Sequence, residues 1–287
     1  MPKYSLVLFL FFALVTVNAQ KNPLLVKDSL LQKQWVDAKY ESMSLDEKIG
    51  QLFMVSVASN QNKASTDRIK QLVKEQHIGG VIFSVGGPVQ QAKLTNAYQE
   101  VSKIPLLIAM DAEWGLAMRL DSTYAFPWNM TLGAISDSSI VKKVGRQIGK
   151  HAKRLGVHIN FAPDIDINTN PQNPIIGNRS FGENRENVVR NGIAFMKGME
   201  SEGVLSSGKH FPGHGDTSTD SHKALPQIPF TRARLDSIEM YPFKKLINEG
   251  ISSIMVAHLS VPSLEMQEEI PSSLSNYIRN SQGRDGF

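Results

Sequence analysis

The sequence predicts an α/β fold built on a parallel sheet, and three observations point there. Six short apolar runs alternate with five longer amphipathic stretches, the pattern of strands connected by helices. Polar and ionisable residues follow directly on several of the apolar runs, as expected where strand ends form a reactive face. Composition is that of an ordinary globular chain, 41% hydrophobic and 20% charged over 287 residues, which argues against disorder.

In chain order, the first segment is MPKYSLVLFLFFALVTVNAQ. Lys3 precedes an apolar run from Leu6 to Val17, and the small-residue ending Val17-Asn18-Ala19 follows. This is the pattern of a secretory signal peptide, residues 1–19, cut after Ala19, and the run is short for a membrane span. An uncleaved anchor is the alternative. Residues 20–44 form a polar lead-in, and residues 45–287 form the folded domain. The predicted strands are Leu52–Ser56, Gly80–Phe83, Pro105–Met110, Val157–Phe161, Gly203–Lys209 and Ile251–Ala257. Helical patterns cover Ser65–Gln76, Val89–Ser102, Ser138–Leu155, Asn184–Ser201 and Thr231–Glu249, with Ser136-Asp137 as a cap and Gly203 and Gly250 as stops. Two architectures fit this alternation, an open doubly wound sheet and a (β/α)8 barrel. The absence of a Gly-rich fingerprint before the first helix weakens the nucleotide-binding version of the former.

No cysteine occurs, so an exported protein of this sequence relies on packing rather than disulfides and offers no leader cysteine for lipid attachment. The formal charge of +4 comes from scattered basic residues, which gives nucleic-acid binding no support.

The densest chemistry lies in KHFPGHGDTSTDSHKALP, Lys209 to Pro226. Pro212, Gly213 and Gly215 forbid regular helix, so the segment reads as a long loop after the fifth strand. His210 and His214 have the spacing of a metal-binding helix pair, but without the helix the geometry is lost, and no metal is expected. Asp220 and His222 stand two apart. In extended chain both side chains point the same way, so the carboxylate can fix the imidazole tautomer and favour its protonated form, giving a general acid/base dyad. Lys209 is a candidate for holding a substrate hydroxyl, or for an internal ion pair with Asp111 or Asp164. Asp111 follows the third strand and is suited to paired sugar hydroxyls. Trp114 either stacks on a sugar or fills core, the latter being favoured, and Arg119 and Arg179 are planar donors or rim ion-pair partners.

These residues together resemble a known family. Lys209-His210-Phe211-Pro212-Gly213-His214-Gly215-Asp216-Thr217, Asp220-Ser221-His222 and Leu225-Pro226 resemble the signature of family 3 glycoside hydrolases, in their β-N-acetylhexosaminidase branch. The resemblance runs from about Leu45 to about Leu274 and includes Asp111-x-Glu113 with Arg119, Phe161-Ala162-Pro163-x-x-Asp166, Asn178-Arg179-Ser180-Phe181-Gly182 and Met255-Val256-Ala257-His258. It implies a TIM-type (β/α)8 barrel, of which about six strands are found here, and retaining hydrolysis of terminal β-linked N-acetylglucosamine from peptidoglycan fragments. It implies His222 as acid/base with Asp220 as its partner, and sugar contacts from Asp111, Arg119, Arg179, Lys209 and His210. No cofactor is implied, and the partners are N-acetylglucosamine-containing saccharides, with neither nucleic acid nor, after leader cleavage, membrane. Localisation is expected to be periplasmic or secreted. Trp114 replaces the glycine usual in the family.

The retaining mechanism also needs a carboxylate nucleophile, which the family carries after the next strand. No Asp matches it, since Pro271-Ser272-Ser273-Leu274-Ser275 begins the helix before that strand and the sequence stops at Asp285-Gly286-Phe287. The expectation is therefore a C-terminally truncated barrel, inactive alone on aryl N-acetylglucosaminides. Phosphorolysis in place of hydrolysis, and a catalytically dead carbohydrate-binding protein, are the alternatives.

Overall fold

The computed structural model describes residues 24, 28–219, 224–265, 270–276 and 278. The expected leader, residues 1–19, and the Asp220/His222 pair lie outside them. Among the described residues, six strands form one all-parallel sheet in the order β1-β2-β3-β4-β5-β6. They are β1 (Met54–Ala58), β2 (Gly80–Val85), β3 (Leu107–Met110), β4 (Ile159–Asn160), β5 (Leu205–Phe211) and β6 (Ser253–Val256). Each strand pairs with its neighbour in sequence. A doubly wound sheet reverses its order at a switch point, so sequential pairing throughout decides for the TIM-type barrel, with six of its eight strands described.

The helices are α1 (Ser29–Ser42), α2 (Leu45–Gly50), α3 (Lys63–Glu75), α4 (Pro88–Gln99), α5 (Asn129–Gly133), α6 (Ser138–Arg154), α7 (Arg185–Glu200), α8 (Arg232–Ser237) and α9 (Tyr241–Asn248). Their ends are chemically marked. Asp137 accepts from Ser139 N and caps α6, Asn184 accepts from Asn187 N and caps α7, and Gly203 and Gly250 follow α7 and α9 with φ of 84° and 83°. The single helix predicted over Thr231–Glu249 is two. Pro242 offers no N–H to a preceding turn, and the chain breaks at Ile238, where φ is −123°. The lead-in is also helical from Ser29 to Ser42 but buries none of its side chains. Among the described residues no helix is long and apolar enough to cross a membrane.

The core lies between the sheet and its helical cover. Val81, Phe83, Ile108 and Met110 from the strands join Tyr98, Ile148, Val188, Phe195, Phe243 and Leu246 from the helices, each fully buried. Helices α6 and α7 approach so closely that a Cβ at Gly198 would stand 2.1 Å from Lys142 O, so this contact requires glycine. Asn160 does the work of a longer β4. Its amide accepts from Ala112 N at 2.9 Å and donates to Ala112 O at 3.1 Å, tying the segment after β3 to the sheet. That tie fixes Asp111 and Glu113 on either side.

Candidate active site

The carboxyl ends of β3, β5 and β6 open on one cavity of about 530 Å³, within the range of roughly 300–1,000 Å³ of small-ligand sites. Its polar lining includes Asp111, Arg119, Arg179, Lys209, His210, His214 and His258. All five residues expected to bind substrate, Asp111, Arg119, Arg179, Lys209 and His210, are thus brought together. Trp114 is not part of this lining. It stacks on Trp128, with ring centroids 4.1 Å apart, and is half-buried.

Charge is arranged as a chain of alternating partners. Lys209, 2% exposed at the end of β5, donates to Asp111 Oδ1 at 2.8 Å and lies 2.7 Å from Glu113 Oε1. Arg119 donates to the other oxygen of Asp111 at 2.8 Å. Arg179 donates to Glu113 through Nε at 3.0 Å and NH2 at 2.8 Å, a forked pairing that only a guanidinium makes. Of the internal partners expected for Lys209, Asp111 is correct and Asp164 is not; Glu113 takes that place. Burial alone would raise the carboxyl of Glu113, but Lys209 and Arg179 outweigh it and hold the group down at about 2. Burial opposes ionisation of Asp111 too, and Lys209 and Arg119 again prevail, keeping it below the usual carboxylate range. Both acids are therefore charged at neutral pH.

A second layer lies beneath. Asp166, wholly buried, accepts from His214 N at 2.7 Å and from His210 N at 3.2 Å, and its Oδ2 is 2.7 Å from His210 Nδ1. Arg179 NH2 is 3.2 Å from His210 Nε2, and an arginine can only donate. These partners set the imidazole: Nδ1–H donates to Asp166 and Nε2 accepts from Arg179, so the ring is neutral. Burial, with Lys209 and Arg179 adding to it against Asp166, likewise pulls the pKa of His210 down. Asp166 is held below the usual range despite its burial, and with a neutral His210 the cause is the set of N–H groups it accepts from His210 and His214. Asp164 goes the opposite way. It is wholly buried, its Oδ1 accepts from Asp166 N, and its Oδ2 has no hydrogen-bond partner among the described residues. Burial first, and the Asp166 charge second, raise it well above the usual range. Of the two acids of this layer, Asp164 is therefore the one that holds a proton more readily.

Asp164, Asp166 and His210 also bring three possible metal-ligand atoms within 4.8 Å. The Arg179 guanidinium, 3.5 Å from Asp164 Oδ2, already supplies positive charge there, so the cluster is better suited to a shared proton than to a divalent cation. The loop after β5 is pressed onto this layer, since a Cβ at Gly215 would stand 1.8 Å from Ile167 O. Asn129 Nδ2 donates to Arg179 O at 2.7 Å and steadies the segment carrying that guanidinium.

A parallel barrel sheet whose carboxyl edge gathers ion-paired acids and planar donors around one cavity defines a TIM-type domain with a polar site of small-ligand size. The chain belongs to glycosyl hydrolase family 3: residues 44–287 match the family's N-terminal domain. It is 38% identical over 225 residues to β-hexosaminidase A of Pseudoalteromonas piscicida, covering 74% of this chain and 38% of that protein. Among solved structures it is similar to a family 3 β-N-acetylglucosaminidase from Paenibacillus sp. str. FPU-7, with 39% identity and a TM-score of 0.77, over 83% of this chain and 46% of that one. It is also similar to the β-glucoside phosphorylase BglX, at 29% identity and a TM-score of 0.83, over 88% and 47%. The chain therefore spans less than half the length of these relatives.

Glu113 and Asp166 are the residues whose roles sequence reasoning missed. The Asp-x-Glu spacing was the available signal for Glu113, because residues two apart after a strand can face one site. For Asp166, it was the Asp-x-Asp after the fourth apolar run.

Proposed function

We propose that the chain is the barrel part of an exported, retaining β-N-acetylhexosaminidase that removes terminal β-linked N-acetylglucosamine from peptidoglycan fragments. The observation that carries this reading is the cradle around Asp111. Lys209 and Arg119 fix the carboxylate and keep it ionised, yet it remains partly exposed to the cavity, so its free lone pairs can accept two adjacent sugar hydroxyls. The relatives named for N-acetylhexosaminidase activity support the choice of sugar.

In this reading His222, oriented by Asp220, gives its proton to the glycosidic oxygen as the C1–O bond breaks, and a carboxylate forms the new bond at C1. The neutral imidazole then takes a proton from the water that releases the sugar. Among the described residues no carboxylate is free to be that nucleophile: Asp111 and Glu113 are bound to cations, and Asp164 and Asp166 lie beneath the cavity floor. The leader pattern of residues 1–19 supports export to the periplasm or beyond, and no cofactor enters the scheme.

The test is titration calorimetry with N-acetylglucosamine. Saturable binding is expected, with Asp111→Asn weakening it about ten- to a hundredfold, because hydrogen bonds to an ionised acceptor are worth roughly 1.5–3 kcal/mol. No binding, or equal affinity for glucose and N-acetylglucosamine, overturns the sugar assignment. Phosphorolysis is a second reading, favoured by the likeness to BglX and by the cationic lining from Arg119, Arg179 and Lys209. Product formation that depends on added phosphate would decide for it.

A further inference from the structure

We infer that His258 is a sugar-binding residue, hydrogen-bonding a ring substituent of the ligand from the wall of the cavity opposite Asp111; this rests on the N-acetylhexosamine reading of the site. His258 stands two residues beyond the end of β6 and lines the same cavity as Asp111, Lys209 and His210. Asp111 follows β3 and His258 comes just after β6, so the two stand three strands apart along the sheet. With neighbouring strands about 4.8 Å apart, that separation leaves room for one pyranose ring between them.

The local construction explains why an exposed imidazole is held there. Its neighbours Ala257 and Leu259 are buried, while His258 itself is exposed. Ser272, 2% exposed, clamps the backbone on both sides. Its Oγ donates to Ala257 O at 2.6 Å and accepts from Leu259 N at 3.2 Å, and its own N–H donates to Leu259 O at 2.7 Å. The next residue, Ser273, places its Oγ 2.7 Å from His258 Nδ1. Three bonds from Ser272 hold the backbone on either side of His258 and one from Ser273 holds the ring, and Nε2 has no hydrogen-bond partner among the described residues. A serine hydroxyl can donate to Nδ1 or accept from it, so Nε2 can correspondingly donate or accept. That versatility matches a sugar, whose hydroxyls and acetamido group offer both. A ring so fixed loses little freedom when the ligand arrives.

The experiment compares the wild-type chain with His258→Ala, His258→Gln, Ser273→Ala and Asp111→Asn, by calorimetric titration with N-acetylglucosamine and by thermal unfolding. His258→Ala is expected to weaken binding about five- to tenfold, the range for one neutral hydrogen bond. His258→Gln should recover part of this, and Ser273→Ala should lose about twofold. The unfolding midpoints of the His258 variants should stay at the wild-type value, because the side chain is exposed. Unchanged affinity in His258→Ala, with Asp111→Asn impaired, overturns the role of His258 and leaves the sugar reading standing. A loss of affinity matched by a fall in the midpoint, and not repaired in His258→Gln, makes the residue structural and overturns it too. Absence of binding in the wild type removes both.

Discussion

Glu113→Ala is expected to destabilise the folded chain by about 3–5 kcal/mol, the range for removing one partner of a buried ion pair. Glu113 is 1% exposed and faces Lys209, itself 2% exposed, and Arg179. Deleting its charge leaves Arg179 with Asp164, 3.5 Å away, as its nearest remaining acid and leaves Lys209 dependent on Asp111. Asp164 softens the loss. The nearby Glu113 charge helps to raise the Asp164 carboxyl, so without it Asp164 ionises more readily and turns towards Arg179. The lower end of the range is therefore expected at neutral pH, a fall of roughly 6–12 °C in unfolding midpoint for a domain of this size. The pH dependence has a definite sign. The Glu113 pKa falls from an unfolded value of 4.5 to about 2, so its contribution is complete above pH 4.5 and disappears as pH drops from there towards 2. Stability of wild type and variant should converge across that window in urea unfolding. A second check is the Glu113→Ala, Arg179→Met pair, whose combined cost should be smaller than the sum of the two, because each removal relieves part of the other's uncompensated charge. Additive costs would mean that the forked contact carries no coupling.

The strand cores were legible in the sequence for a physical reason. A parallel strand covered on both faces reads as an unbroken apolar run, and Val81, Ile108 and Ala109 are wholly buried. Strand ends were less legible. The run Val157–Phe161 makes only the two-residue β4, because the Asn160 side chain, rather than further backbone, continues the pairing towards Ala112. Helix α1 was not legible because it buries no side chain, so no apolar stripe marks it. Helix α2 did carry a readable signal, the Ser44/Glu47 capping box, in which each side chain meets the other's backbone N–H. In the site, Asp111, Lys209 and His210 were legible because strand ends converge in a barrel whatever their separation in sequence, whereas Arg119 and Arg179, which lie on short turns away from the strands, were singled out by the family resemblance. What spacing could not say is which acid holds which cation. Between them Lys209 and Arg179 face four acids, Asp111, Glu113, Asp164 and Asp166, and their protonation depends on burial, which no linear pattern displays. The largest sequence inference, the Asp220/His222 dyad, lies outside the described residues.

That difference in protonation leads to opposite expectations for two neighbouring aspartates. Asp166→Asn should cost roughly 3–4 kcal/mol. The carboxylate accepts three N–H groups, from His210 twice and His214 once, and an amide must turn its NH2 towards one of them and leave buried donors facing each other. Asp164→Asn should stay within about 1 kcal/mol of wild type at neutral pH. A protonated carboxyl and an amide have the same shape and charge, and the amide oxygen keeps the bond from Asp166 N. The pH slopes separate the two residues further. Asp164 has its folded pKa raised, so its contribution is complete below the unfolded value of about 3.8 and is lost as pH rises towards the folded pKa. Asp166 has its folded pKa lowered, so its contribution is complete above about 3.8 and is lost as pH falls. Relative to wild type, Asp164→Asn should therefore gain in stability as pH is raised from 4 to 8, whereas the deficit of Asp166→Asn should hold at neutral pH and shrink below 4. Urea unfolding of both variants across pH 3–8 checks this. Equal losses in the two variants, or a deficit of Asp164→Asn that grows with pH, would mean that the proton resides on Asp166 and that His210 is held by a different charge.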